Sequence, residues 1–233
     1  MRIYLIRHGD PDYANDTITA EGEHEAAALA ERLSGEGLTH LYASPMGRAQ
    51  ATAAPTAGLT GLAVETLPWT EEWGDLQLAT RHGRRSIWDL DGEELRVGDL
   101  AQQPHRWHEL PPLDDAGLAR RWTALQAGSD ALLAAHGYQR HDARYAVEPG
   151  SRDRIAVFCH GGFGLAWLAW LLGVPLHVMW AGFWLPPTSV STILLDERSA
   201  EWAVPRALWV GETSHLAVAG RAPLPRGIKA NFD

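Results

Sequence analysis

The chain has 233 residues, enough to bury a full core, and its 45% hydrophobic and 21% charged composition excludes long disordered stretches. Its formal charge of -9 excludes a broad nucleic-acid-binding face, which needs clustered Lys and Arg, yet permits a small anion held by a few arginines in a pocket. A single cysteine, Cys159, excludes an internal disulfide and fits a reducing cytosol.

Residues 2–6 are a short apolar, β-compatible run that ends abruptly in Arg7-His8-Gly9-Asp10-Pro11, a polar turn with two breakers. No leader-like segment precedes this run, so a cytoplasmic protein is expected. Thr19 reads as the cap of a helix whose Ala26, Leu29, Ala30 and Leu33 recur at helical spacing, with Gly35 and Gly37 stopping it. Residues 38–43 form a second strand leading into Ser44-Pro45, read as helix cap and first helical residue, which puts Arg48 in the first turn. A weak strand over 62–67 follows. Residues 73–114 are rich in Trp, Arg, Asp and Gly and carry Pro104, Pro111 and Pro112, which predicts an insertion of loops and short helices over one face. Asp114 or Asp115 caps a long helix running to about His136. The strand at 155–159 meets His160-Gly161-Gly162 and an apolar helix over 163–172. Two more strands, 189–195 and 202–210, read as a hairpin around Asp196-Glu197. The apolar stretch from Gly161 to Leu185 is long enough to cross a bilayer, but Gly173, Pro175 and His177 interrupt it. It reads as a buried helix and loop, with no membrane contact expected.

Strands alternating with helices predict an α/β three-layer sandwich, a mostly parallel sheet with helices on both faces, as one domain over 1–233 carrying the insertion. Ligands of such sheets bind outside the carboxyl ends of the strands, where His8 and His160 both fall.

The segment Arg7-His8-Gly9, followed by Asn15, Thr19-x-x-Gly22, Ser44-Pro45-x-x-Arg48-Ala49-x-x-Thr52-Ala53, Glu71-Glu72 and His160-Gly161, resembles the histidine phosphatase superfamily, which includes cofactor-dependent phosphoglycerate mutases and many small-molecule phosphatases. The match covers residues 2–72 and 154–195 and leaves the middle unmatched. The resemblance implies the phosphoglycerate mutase-like fold, His8 as nucleophile, and Arg7, Arg48 and His160 as the phosphate pocket. Asn15 matches a position that touches phosphate. The chemistry supplies reasons for these residue types. A neutral imidazole nitrogen attacks phosphorus and splits the displacement into two steps through a phosphohistidine. Arginine forks and a protonated or hydrogen-bonding His160 stabilise the equatorial oxygens. Gly9 leaves room for phosphate and offers an amide to the other ring nitrogen or to an oxygen.

The leaving oxygen needs a proton from a carboxylic acid with a raised pKa. The resemblance places that acid after the third strand and ahead of a glycine, where Glu71 and Glu72 stand. The spacing to Gly74 leaves both open, with Glu72 preferred. Ser44 and Thr52 read as structural, and Asp10 as fixing the turn before Pro11. No paired Cys/His spacing suggests a metal, and no cofactor is expected. Substrate choice falls to the insertion. Trp73, Trp88 and Trp107 there read as packing or stacking residues, and Arg81, His82, Arg84 and Arg85 as a solvated loop or a second anion site. The expected activity is that of a phosphomonoesterase of the histidine acid phosphatase type on a small phosphorylated substrate. A mutase or a non-catalytic phosphate-ligand binder is the alternative, and a homodimer is left open.

Overall fold

A computed structural model describes residues 1–228. Its strands, in chain order, are β1 (Arg2–Arg7), β2 (Pro11–Asp12), β3 (Thr17–Ile18), β4 (His40–Ala43), β5 (Val64–Thr66), β6 (Gln77–Thr80), β7 (Gly83–Ser86), β8 (Tyr138–His141), β9 (Arg144–Val147), β10 (Arg154–Cys159), β11 (Val190–Glu197) and β12 (Trp202–Glu212). Its α-helices are α1 (Ala20–Ser34), α2 (Gly47–Thr60), α3 (Gly92–Leu95), α4 (Gly98–Gln102), α5 (Ala116–Ala135), α6 (Gly161–Leu172), α7 (Leu176–Gly182) and α8 (Ser214–Val218).

Eight strands form one sheet in the order β5-β4-β10-β1-β11-β12-β9-β8. The pairs β5/β4, β4/β10 and β10/β1 are parallel, and the remaining four pairs are antiparallel. Following those directions across the sheet, only β11 and β9 oppose β1, so six of the eight strands point the same way. The two-residue period of a strand divides the core. Ile3, Leu5, Ile155 and Val157 face one cluster, with Leu118, Leu125, Phe163 and Trp167 of α5 and α6. Tyr4, Ile6, Ala156 and Phe158 face the other, with Leu29 and Leu33 of α1 and Ala53 of α2. Helices therefore cover both faces, giving the three layers.

The predicted boundaries hold where local chemistry decides them. Thr19 caps α1 by accepting from the Gly22 amide at 3.1 Å, and Asp115, not Asp114, caps α5 by accepting from Gly117 and Leu118. Gly173, in the left-handed region at φ 66°, ends α6, and Pro175 begins α7, so the apolar stretch folds as two helices. No helix among the described residues is long and apolar enough to cross a membrane. Ser44 is a correction. The helix starts two residues later than the Ser-Pro pair suggests, with Met46 at the cap position and no side-chain cap. The insertion is a second correction. Beyond loops and short helices it contains the β6/β7 hairpin, whose polar Gln77-Leu78-Ala79-Thr80 and Gly83-Arg84-Arg85-Ser86 lack a clean apolar alternation.

Candidate active site

β1 and β10 are parallel neighbours in register, with Arg7 opposite Cys159, so His8 and His160 are the next residues out of the sheet on adjacent strands. The backbone continues the ladder one step, His8 donating its amide to the Cys159 carbonyl at 2.9 Å, and the two imidazoles stand 5.2 Å apart between centroids. His8 Nδ1 lies 2.8 Å from the Gly9 carbonyl. A carbonyl only accepts, so Nδ1 carries the hydrogen and Nε2 keeps its lone pair. Burial, then the Arg7 and Arg48 charges, hold the His8 pKa down at about 3. The ring is neutral, with a lone pair free on Nε2.

Gly9 does not use its amide as expected. The amide donates to Thr52 Oγ1 at 3.0 Å, and Thr52 Oγ1 donates to the Arg48 carbonyl at 2.7 Å, tying the His8 turn to α2. What demands glycine is close packing: a Cβ on Gly9 would sit 3.0 Å from the Gly22 carbonyl oxygen, and one on Gly22 would sit 2.6 Å from the Asp10 carbonyl oxygen.

Arg7, His8, Arg48 and Glu72 line a cavity of about 990 Å³ at the carboxyl ends of these strands. Arg7 donates from one terminal nitrogen to the Leu185 and Arg226 carbonyls at 2.5 and 3.0 Å, and Arg48 donates to Asp16 Oδ1 at 2.6 Å. Each guanidinium keeps a buried Nε with no partner among the described residues. Both arginines line the cavity, and two guanidinium charges on one wall suit an anion seat. Gly161 at the first turn of α6 lies beside the Arg7 guanidinium.

Glu72 accepts from the Gly162 and Phe163 amides at 3.0 and 2.8 Å, so a glutamate distant in sequence caps the helix that His160 begins. Burial raises its pKa, against the opposing pull of those amides and of Arg48. Glu71 faces Arg121 at 3.8 Å with its side chain 46% exposed and does not line the cavity. Of the two glutamates, the structure brings only Glu72 to the site.

His160 is fully buried behind His8 and does not itself line the cavity. Its Nε2 pairs with Ser44 Oγ at 2.8 Å while Nδ1 has no partner. Burial and the neighbouring His8, Arg48 and Arg7 push its pKa far down, so of the expected protonated or hydrogen-bonding ring the structure gives a neutral one bonded to Ser44. Asn15 is not brought to the site. Its amide donates to Asp12 Oδ2 at 2.7 Å in an exposed turn, and the neighbour, Asp16, occupies the place beside Arg48 and accepts from the Gly47 amide at 2.7 Å. Asp16 has φ 47°, a conformation that aspartate tolerates better than most residues.

Sequence reading misses Asp16, and it misses Arg226, which lines the cavity and pairs its Nε with Asp10 Oδ1 at 2.5 Å. No local signal marks a contact 216 residues apart. Asp10 does fix its turn, accepting from Thr19 Oγ1 at 2.8 Å, but it also holds this arginine. Among the described residues, the one His/Asp group close enough for a metal, His40, His136 and Asp153, involves the opposite end of β4 from this cavity.

The sequence over residues 3–206 matches the family described as "Histidine phosphatase superfamily (branch 1)". The chain belongs to that superfamily. A histidine phosphatase superfamily relative, the probable phosphoglycerate mutase GpmB of Yersinia enterocolitica, is 31% identical over 97% of this chain and 100% of its own. Solved structures share the fold at lower identity. Phosphoserine phosphatase of Entamoeba histolytica, bound to 3-phosphoglyceric acid, has a TM-score of 0.61 at 19% identity and covers 92% of this chain and 98% of its own. A mycobacterial glucosyl-3-phosphoglycerate phosphatase has a TM-score of 0.59 at 19% identity, covering 88% and 96%.

Proposed function

We propose that this chain is a metal-independent phosphomonoesterase that hydrolyses small-molecule phosphate esters through a phosphohistidine on His8. The observation that carries the reading is the single cavity wall holding a neutral His8, two buried arginines, and a glutamate with a raised pKa.

The residues support a balanced sequence. Arg7 and Arg48 hold the phosphoryl oxygens and offset their charge. The His8 Nε2 lone pair attacks phosphorus as the ester P–O bond breaks, and the Glu72 proton passes to the departing alkoxide. Water then attacks the phosphohistidine. Its proton goes to the Glu72 carboxylate, the P–N bond breaks, and the electron pair returns to Nε2 with release of inorganic phosphate. His160 backs the His8 ring, and Gly9 fixes the tautomer through its carbonyl.

The name of the Yersinia relative favours a second reading, phosphoglycerate mutase, in which the phosphohistidine is kept from water. Rapid quench with a turned-over ester tests the shared step: acid-labile, alkali-stable phosphate is expected on His8 and none in His8→Ala. Label on a serine, or no label during efficient turnover, rejects it. Measuring both phosphate release and isomerisation of 3-phosphoglycerate separates the readings, since efficient isomerisation with little release identifies a mutase.

A further inference from the structure

Beyond the phosphate seat, the cavity wall is formed by Trp88, Leu90, Leu165, Trp180, Phe183 and Trp184. The indole N–H groups of two of these are already committed: Trp180 donates to the Gly162 carbonyl at 3.1 Å and Trp184 to the Arg226 carbonyl at 2.9 Å. What they offer a ligand is apolar and π surface. Trp88 lies against Gly162, where a Cβ would fall 2.4 Å from the indole Cγ, and the Gly162 amide is the one that holds Glu72 Oε2. The leaving oxygen must reach Glu72, so the group attached to it lies beside Trp88. Among the described residues, each arginine of this wall beyond the phosphate seat has a carboxylate beside it. Arg85 faces Asp89 at 3.9 Å, Arg226 is bound to Asp10, and Asp91 of the same wall faces Arg81 at 3.7 Å and His82 at 3.4 Å. A second anionic group on the substrate would compete with those carboxylates. Arg81, on the loop read as solvated or as a second anion site, is exposed, pairs with Glu93 and does not line the cavity, as a solvated loop would.

Resting on the phosphatase reading for its phosphate seat, we infer that the substrates are phosphate monoesters of uncharged, planar aromatic alcohols, received by Trp88, Phe183 and Trp184, and not small phosphorylated carboxylic acids. The specificity-determining residues are then Trp88 and Phe183. Both touch the leaving group and neither is needed for phosphoryl transfer.

The test compares 2-(2-naphthyl)ethyl phosphate with propyl phosphate, two primary alkyl esters of similar intrinsic reactivity, and with 3-phosphoglycerate. Phosphate release should give kcat/KM about tenfold or more higher for the naphthylethyl ester than for propyl phosphate, with 3-phosphoglycerate lowest. Trp88→Ala should bring the ratio of the two alkyl esters toward one. Phe183→Ser, at a side chain already 44% exposed, does the same in part without a folding cost. A wild-type ratio near one, a preference for 3-phosphoglycerate, or a ratio unchanged in both variants overturns the inference. Calorimetric binding of the matching phosphonates separates it from the reaction. Tighter binding of the naphthylethyl phosphonate with no ester turned over leaves the inference standing and removes the hydrolase, and equal binding of both phosphonates overturns the inference.

Discussion

Glu72 takes two amides at the start of α6 and, in the proposed reaction, also holds the proton for the leaving group. The amides and the helix N-terminus favour its ionised form, burial favours its neutral form, and burial prevails. His8 is displaced in the opposite sense, to about 3. The signs fix a pH profile. Above about pH 3 the nucleophile is already neutral, whereas the acid loses its proton as pH rises through the raised Glu72 pKa. Turnover of alkyl phosphates should therefore fall on the alkaline side, above the usual carboxylate range, in a kcat profile measured under saturating ester. Glu72→Gln should remove that limb and slow alkyl esters by about 10²–10⁴-fold, with aryl phosphates slowed far less because their leaving groups need no proton. Equal slowing of both classes assigns Glu72 a capping role only. A melting curve for the variant shows how much of the cap the glutamine retains.

The second turns of α1 and α2 brace the loop that carries His8. In α1, Glu25 is 1% exposed and accepts from the Asp10 amide at 2.7 Å, and burial raises its pKa to about 7. A carboxyl raised from 4.5 to about 7 stabilises the fold below pH 4.5, and that contribution is lost as pH climbs through 7, about 3 kcal/mol in all. Denaturant melts from pH 5 to 8 should show the loss in the wild type and a flatter curve for Glu25→Gln, which keeps an acceptor for Asp10. A slope unchanged by the substitution places the titration elsewhere. Elements of this kind are legible where their signals are local. The Thr19 and Asp115 caps, the Gly173 stop, and the two strands ending in His8 and His160 all follow from a few consecutive residues. Ser44 misleads because Ser-Pro is a good local helix start, while the tertiary fold gives its hydroxyl to His160. The β8/β9 hairpin escapes because Tyr-Gln-Arg-His and Arg-Tyr-Ala-Val mark an edge of the sheet, with no continuous apolar face to betray it.

Taken as a whole, the described chain closes on itself through pairs that no window of sequence contains. Arg226 returns to Asp10, whose side chain is 4% exposed, and its own carbonyl accepts from Arg7 and Trp184. Arg226→Ala should leave Asp10 short of its cation and loosen this segment over the cavity. KM is expected to rise about tenfold with kcat little changed, and Arg226→Lys should restore only part of the loss because it lacks the fork that meets both carboxylate oxygens. A kcat loss with KM unchanged would instead put Arg226 on the reacting phosphoryl group. The adjacency of β1 and β10 has a further meaning. Neighbouring strands keep a nearly fixed separation of about 4.8 Å, so the sheet acts as a ruler for the two imidazoles it carries. The wall facing the organic group hangs instead on turns, short helices and a small hairpin outside that ruler. Mutation can rework what the protein accepts while the spacing of the histidines stays calibrated, a division that lets one reaction be inherited by descendants with different appetites.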